Sequence, residues 1–168
     1  MSDVYDSAAV AMLMSDFAVT DGLNKLQIVG GGLQVVGRDH KTGISSAFAL
    51  VVTLTFAQEV VNEQYAFEVI LENPDGTPTQ LDGPDGPGTG GVMRFGQTLQ
   101  VEEPNFRGVQ VPRHALPPRT QMVLYFNTGL RLPAGGVLRW AARIDGDRKA
   151  SWSLPFFVTA PTAAPVLG

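Results

Sequence analysis

The chain contains no cysteine. Disulfides, thiolate nucleophiles, zinc ribbons and iron–sulfur clusters are therefore excluded. Histidine is nearly absent too, with only His40 and His114 among 168 residues. Both stand in polar loops, Arg38-Asp39-His40-Lys41 and Pro112-Arg113-His114. Two separated imidazoles do not make the three- or four-ligand set that zinc or iron takes, so no metal and no cofactor is expected. Clustered positive charge is missing as well. The 12 Lys and Arg are scattered, apart from Arg148-Lys149, and the net charge is −4. A surface that tracks phosphates needs a basic cluster, so nucleic acid and anionic membrane are poor partners. The longest apolar runs, 8–14 and 47–54, are far too short to span a bilayer as a helix. Acidic Asp3 and Asp6 precede the first of them, and the first basic residue is Lys25, which is not a secretory pattern. The expected location is the cytoplasm, or a phage particle assembled there.

Short alternating segments between turns dominate the rest. Glycine (19) and proline (12) are abundant and 44% of residues are hydrophobic, as in a turn-rich all-β domain. The clearest unit closes the chain. Leu138, Trp140, Ala142 and Ile144 alternate with Arg139 and Arg143; after Asp145-Gly146, the residues Trp152, Leu154, Phe156 and Val158 share a face. That is a β-hairpin with one buried side. Pro155 suggests that its last strand begins to leave the ladder there.

Phe48, Leu50, Val52, Leu54 and Phe56 form a second core face, and the small or β-branched residues between them suggest that the opposite face is covered too. Tyr65, Phe67, Val69 and Leu71 alternate with Ala66, Glu68, Ile70 and Glu72, which reads as a half-solvated strand ended by Asn73-Pro74-Asp75-Gly76. Residues 1–7 read as loose, 8–19 as a strand apolar on both faces, and 25–36 as a strand bent at Gly30-Gly31-Gly32. Residues 82–91 offer nothing to a core and form a surface loop, and 105–119, rich in proline, is irregular. The expected fold is an antiparallel β-sandwich of about eight to ten strands, immunoglobulin-like or jelly-roll in type, as one domain over 1–159 with a flexible tail at 160–168.

No chemical motif survives its context. Gly30-Gly31-Gly32 lacks the third glycine of a dinucleotide fingerprint and the Gly-Lys-Ser/Thr of a P-loop. Gly43-Ile44-Ser45-Ser46-Ala47 resembles a nucleophile elbow but ends in alanine and runs into a strand. Asp75, Asp82, Asp85, Asp145 and Asp147 adjoin glycines or share turns with them, and read as turn formers before calcium ligands. Glu102-Glu103 marks a strand end, and Trp140 and Trp152 belong to the core rather than to a sugar platform. No catalytic residue is assigned and the protein is not expected to be an enzyme.

The segment Val19-x-Asp21-Gly22-Leu23-Asn24-Lys25-Leu26-x-Ile28-x-Gly30-Gly31-Gly32 resembles the opening of an uncharacterised family of small proteins of actinobacteria and their phages. Gly136-Val137-x-x-Trp140-x-x-x-Ile144-Asp145-Gly146, followed by Leu154-Pro155-Phe156-x-Val158, is similar to that family's end. The resemblance implies a β-sandwich and a host or phage context, with no activity to transfer.

The expected function is a structural or protein-interaction module, a subunit of a larger assembly such as a phage virion, with protein subunits as partners and a homo-oligomer among the expected forms. Arg139, Arg143, Phe106, Arg107 and Arg113 are the candidate contact residues, since exposed arginine and aromatics are favoured at interfaces. The alternative is a module binding carbohydrate or another small molecule through Tyr65, Tyr125 or Phe106.

Overall fold

The computed structural model describes residues 2–161. Among them are ten strands and one short helix: α1 (Asp3–Ser7), β1 (Ala9–Ser15), β2 (Phe17–Thr20), β3 (Leu26–Val29), β4 (Val35–Val36), β5 (Phe48–Thr55), β6 (Gln64–Glu72), β7 (Arg94–Gln100), β8 (Arg119–Phe126), β9 (Val137–Ile144) and β10 (Ser153–Val158). The expected tail falls largely outside the described residues.

The strands form three sheets, ordered β1-β5-β8, β4-β10-β9-β6-β7 and β2-β3. All pairings are antiparallel except one. β4 runs parallel to β10, with Val35 beside Phe157 and Val36 beside Val158, so the five-stranded sheet is mixed rather than purely antiparallel. The glycine bend is the cause. Gly32 and Leu33 both donate their N–H to the Met14 carbonyl, which turns the chain toward the β10 edge. Gly30 makes the bend with φ +66°, and a Cβ there would collide with the Asp16 side chain.

Alternation explains the core. Phe48, Leu50, Val52 and Leu54 of β5, Tyr65, Phe67, Val69 and Leu71 of β6, and Leu138, Trp140, Ala142 and Ile144 of β9 meet in one buried cluster with Trp152, Phe156 and Val158. Trp140 is stacked between Phe126 at 5.6 Å and Phe156 at 6.4 Å, joining the three- and five-stranded sheets. Both tryptophans are buried, as the closing hairpin's pattern requires.

The second face of the three-stranded sheet is covered from within the chain. Ala49 and Val51 pack against Ala18 of β2, with Leu13, Leu26 and Val123 around them. This is why 8–19 is apolar on both sides: the chain leaves the sheet after Ser15 and folds over it as the β2–β3 ribbon. The single strand expected over 8–19 is therefore two, divided at Asp16.

Four further expectations are corrected. Residues 3–7 form a helix, capped by the Ser2 hydroxyl, which accepts from the Tyr5 N–H at 3.2 Å. Its Tyr5 is buried edge-on against Trp152, at 5.2 Å. Lys149 Nζ lies over both rings and donates to the carbonyls of Asp6 and Ala8, closing the strap. β6 is not half-solvated at its end, since Ile70 and Glu72 on its outer side have no exposed surface. Pro155 does not end the ladder, because β10 continues to Val158. Ala142 donates to the Trp152 carbonyl. Alternation then makes Pro155–Arg139 a wide pair, so the proline's missing N–H points away from β9. Finally, Tyr65 is not an exposed aromatic; it is buried against Phe56 at 5.2 Å, and burial pushes its phenol above the ordinary value.

Candidate functional site

The outer face of the five-stranded sheet carries an ordered set of charges. Arg139 and Arg143 project from β9 on the side opposite Trp140, as their alternation predicts. Register sets Arg139 beside Glu72, Ala141 beside Ile70, and Arg143 beside Glu68. Arg94 of β7 faces Ile70 from the other side. Ile70 and Ala141 lie among these charges on the same face and have no exposure.

Glu72 is the centre of this lattice. Its Oε2 accepts from Arg139 Nη2 at 3.1 Å, Arg139 Nε at 3.2 Å and Arg148 Nη1 at 2.6 Å. Its Oε1 accepts from Arg143 Nη2 at 2.8 Å. Burial pushes this carboxyl up, but the hydrogen bonds from Arg143 and Arg139 and the charge of Arg148 more than offset it. The net position is below the ordinary carboxylate value. Glu68 pairs with Arg94 at 2.9 Å and lies 4.0 Å from Arg143 Nε, a buried donor with no hydrogen-bond partner. The turn after β6 closes over the lattice. Gly76, at φ +90°, passes so near Arg139 and Arg148 that a Cβ would stand 3.0 and 3.1 Å from their guanidinium nitrogens. A carboxylate held ionised and closed off from solvent is a structural anion, not a proton donor.

Beside the charges lies an apolar row. Val35, Phe157 and Val137 are register neighbours across β4, β10 and β9, and are 52%, 40% and 48% exposed. Val137 is two residues from Arg139 and shares its face. A second apolar patch lies on the ribbon, where Phe17 pairs with Val29 and packs edge-on against Tyr125 at 5.3 Å, all three exposed.

The other candidate contact residues lie elsewhere. Phe106, Arg107 and Arg113 belong to the irregular segment between β7 and β8. Phe106 and Arg107 are exposed, and Phe106 bridges to Val109 in a tight turn. Arg113 is 4.0 Å from Glu103 and largely exposed. Glu103, Pro104, Asn105, Val111, Arg113 and His114 line most of a shallow cleft of about 290 Å³ there. Among the described residues, no hydrogen bond or ion pair joins this segment to Arg139 or Arg143. The five residues thus occupy two places rather than one.

The remaining motifs resolve into structure. The 82–91 loop is tied down, with Asp82 accepting from Arg38 Nη2 at 2.9 Å and from the Gly88 N–H at 3.1 Å. The Ser45 hydroxyl accepts from Leu130 N–H and donates to the Ser46 carbonyl, both at 2.9 Å, which occupies it. His40 and His114 are both exposed. Among the described residues no group of three or more His, Asp or Glu is placed to hold a metal ion, and no helix is long and apolar enough to cross a membrane.

Sequence reasoning found Arg139 and Arg143 but missed Glu72 and Arg148. One signal was present: two arginines four residues apart on one strand face demand a counter-charge, but which carboxylate supplies it follows from the β6–β9 pairing, and that strand order is not written in the sequence. No protein-family model, no curated protein and no solved structure matches this chain.

Proposed function

We propose that the protein is a non-enzymatic structural or interaction module, a subunit of a larger protein assembly such as a phage particle. The observation that carries this is the exposed row Val35–Phe157–Val137 on a strand face that also bears arginines. Apolar side chains in register across three strands form a contiguous patch rather than scattered surface residues. An aromatic centre beside arginine is the composition enriched where proteins meet. The two-faced pattern of 8–19 adds nothing to this, because the chain's own ribbon covers that face. The two sheets sharing one core support a sandwich of immunoglobulin-like or jelly-roll type. The resemblance of residues 19–32 and 136–158 to small actinobacterial and phage proteins supports the phage context, in the cytoplasm or in particles assembled there. No cofactor enters this reading.

Phe157→Ser tests it. Phe157 is half out of the fold, so the variant should keep its melting behaviour within about 1 kcal/mol of wild type. Association with partner subunits, or with further copies, should weaken at least tenfold. Unchanged association would remove the row from the account.

A second reading, a module binding carbohydrate or another small molecule, has the cleft between Glu103 and Leu116 in its favour. It predicts a melting temperature raised by such a ligand. Of the aromatics it would use, Phe106 and, on the ribbon side, Tyr125 are exposed but do not line that cleft, and Tyr65 is buried.

A further inference from the structure

β7 ends the five-stranded sheet, and only β6 pairs with it. Ladder geometry shows which of its backbone groups are free. The Leu71 N–H donates to the Met93 carbonyl at 3.0 Å, and the Val101 N–H to the Glu63 carbonyl at 2.9 Å. These bonds bracket the β6–β7 register, which pairs Ile70 with Arg94 and Gln64 with Gln100 without a break. Hydrogen-bonded and wide pairs alternate along an antiparallel ladder. Phe95, Gln97 and Leu99 therefore direct their N–H and C=O groups to β6. Arg94, Gly96, Thr98 and Gln100 direct theirs outward. Among the described residues, no backbone hydrogen bond from another element reaches 94–100.

Exposed edges of monomers are ordinarily guarded by lysine, proline, a bulge or an inward charge. β7, Arg94-Phe95-Gly96-Gln97-Thr98-Leu99-Gln100, has none of these. Its one charge, Arg94, is on the outer face and is held by Glu68. Gly96 is a further sign. Glycine weakens a strand interior, and often marks a close approach by another backbone. Here φ is not in the left-handed region, and a Cβ would meet only the Phe67 carbonyl at 3.6 Å, an ordinary contact. Nothing inside the fold requires glycine at this position.

The strand is also its own complement about Gln97. With a second copy turned antiparallel so that Gln97 faces Gln97, Gly96 faces Thr98, Phe95 faces Leu99 and Arg94 faces Gln100. The outward backbone groups of each strand then meet those of the other. On the inner face Phe95 meets Leu99 twice, and no like charges oppose one another. Phe95 is half-buried and belongs to neither buried cluster, while Leu99 packs against the main one. A centre at Gly96 instead would set Phe95 against Gln97 and lose the apolar pair.

We propose that two copies of this chain join edge to edge through β7, antiparallel about Gln97, so that one sheet runs through both. The partner named is a second copy, and the proposal rests on the reading of the protein as an assembly subunit. It uses a different surface from the Val35–Phe157–Val137 row, so an assembly could grow through both. One strand pair is a small interface, and its dissociation constant should be on the order of micromolar or weaker.

Charge exchange at the two-fold tests this. Gln97→Lys sets two ammonium groups opposite each other, and Gln97→Glu sets two carboxylates. Gln97 is exposed, so both variants should keep the wild-type circular dichroism and melting temperature. In sedimentation at concentrations where the wild type dimerises, each variant alone should dimerise at least tenfold more weakly. An equimolar mixture of the two should recover the dimer. Thr98→Pro, which removes an outward N–H and leaves the β6 ladder intact, should also lose it. If the wild type associates but both Gln97 variants associate equally well, or their mixture recovers nothing, the β7 inference is overturned and the assembly reading survives on another surface. If the wild type alone stays monomeric to millimolar concentration, the β7 dimer is overturned, and the wider reading loses self-association as its basis as well.

Discussion

Glu72 has no exposed surface and four arginine nitrogens within hydrogen-bonding distance. Such a carboxylate is stable only while its partners remain. Glu72→Gln should destabilise the fold by about 3 kcal/mol, the lower end for a broken buried pair, because the arginines can partly regain water. Urea unfolding measures it. The pH dependence has a definite sign. Glu72 is held below its ordinary value, so the folded protein holds this proton less tightly than the unfolded chain. The stability it contributes is complete above the unfolded value, roughly pH 4.3, and is lost as pH falls through the lower folded value. Asp21, Asp39 and Asp75 shift in the same direction, through hydrogen bonds within their own turns. The difference between wild type and Glu72→Gln therefore isolates Glu72, and it should shrink toward zero with acid. A difference independent of pH between 6 and 2 would contradict the lattice. Arg139 and Arg143 were legible because alternation assigns them a face. Glu72 was not, because burial on an outer face comes from cross-strand partners, one of them, Arg148, in a turn whose direction no periodicity encodes.

At the scale of elements, alternation fixed the faces of β5, β9 and β10, and the buried clusters follow them residue by residue. It failed where the chain is short or changes sheets. The helix at 3–7 has only Val4 and Tyr5 to signal it, too few for a helical period. The division of 8–19 at Asp16 is set by the Gly30 bend it packs against, a contact fourteen residues away. Pro155 is tolerated because its ring replaces an N–H that the β9 ladder does not use, which depends on ladder phase rather than composition. The ribbon offers a direct test. Ala18 is buried against Ala49 and Val51. Ala18→Asp would place an unpaired charge there, so the ribbon should open while the main core holds. Hydrogen exchange should rise sharply for amides of 17–29 and stay slow for Val52 and Leu54. Loss of protection throughout, or none at all, would show that the ribbon is not a separate cover.

At the scale of the whole molecule, the main core lies between the three- and five-stranded sheets, and the surface left over is uneven. It holds an arginine–glutamate lattice, an apolar row in register beside it, an apolar patch on the ribbon and an unguarded edge at β7. The candidate residues named from sequence divide between the lattice and the loop before β8, because exposure can be guessed from pattern but proximity cannot. Phe157 and Gln97 test separate surfaces, so their variants should affect association independently. The measurement that bears most directly on the assembly account is the mass in solution by light scattering over a hundredfold range of concentration. The account predicts a mass that rises with concentration toward a dimer or a larger species. A mass fixed at that of a single chain across the whole range would contradict it.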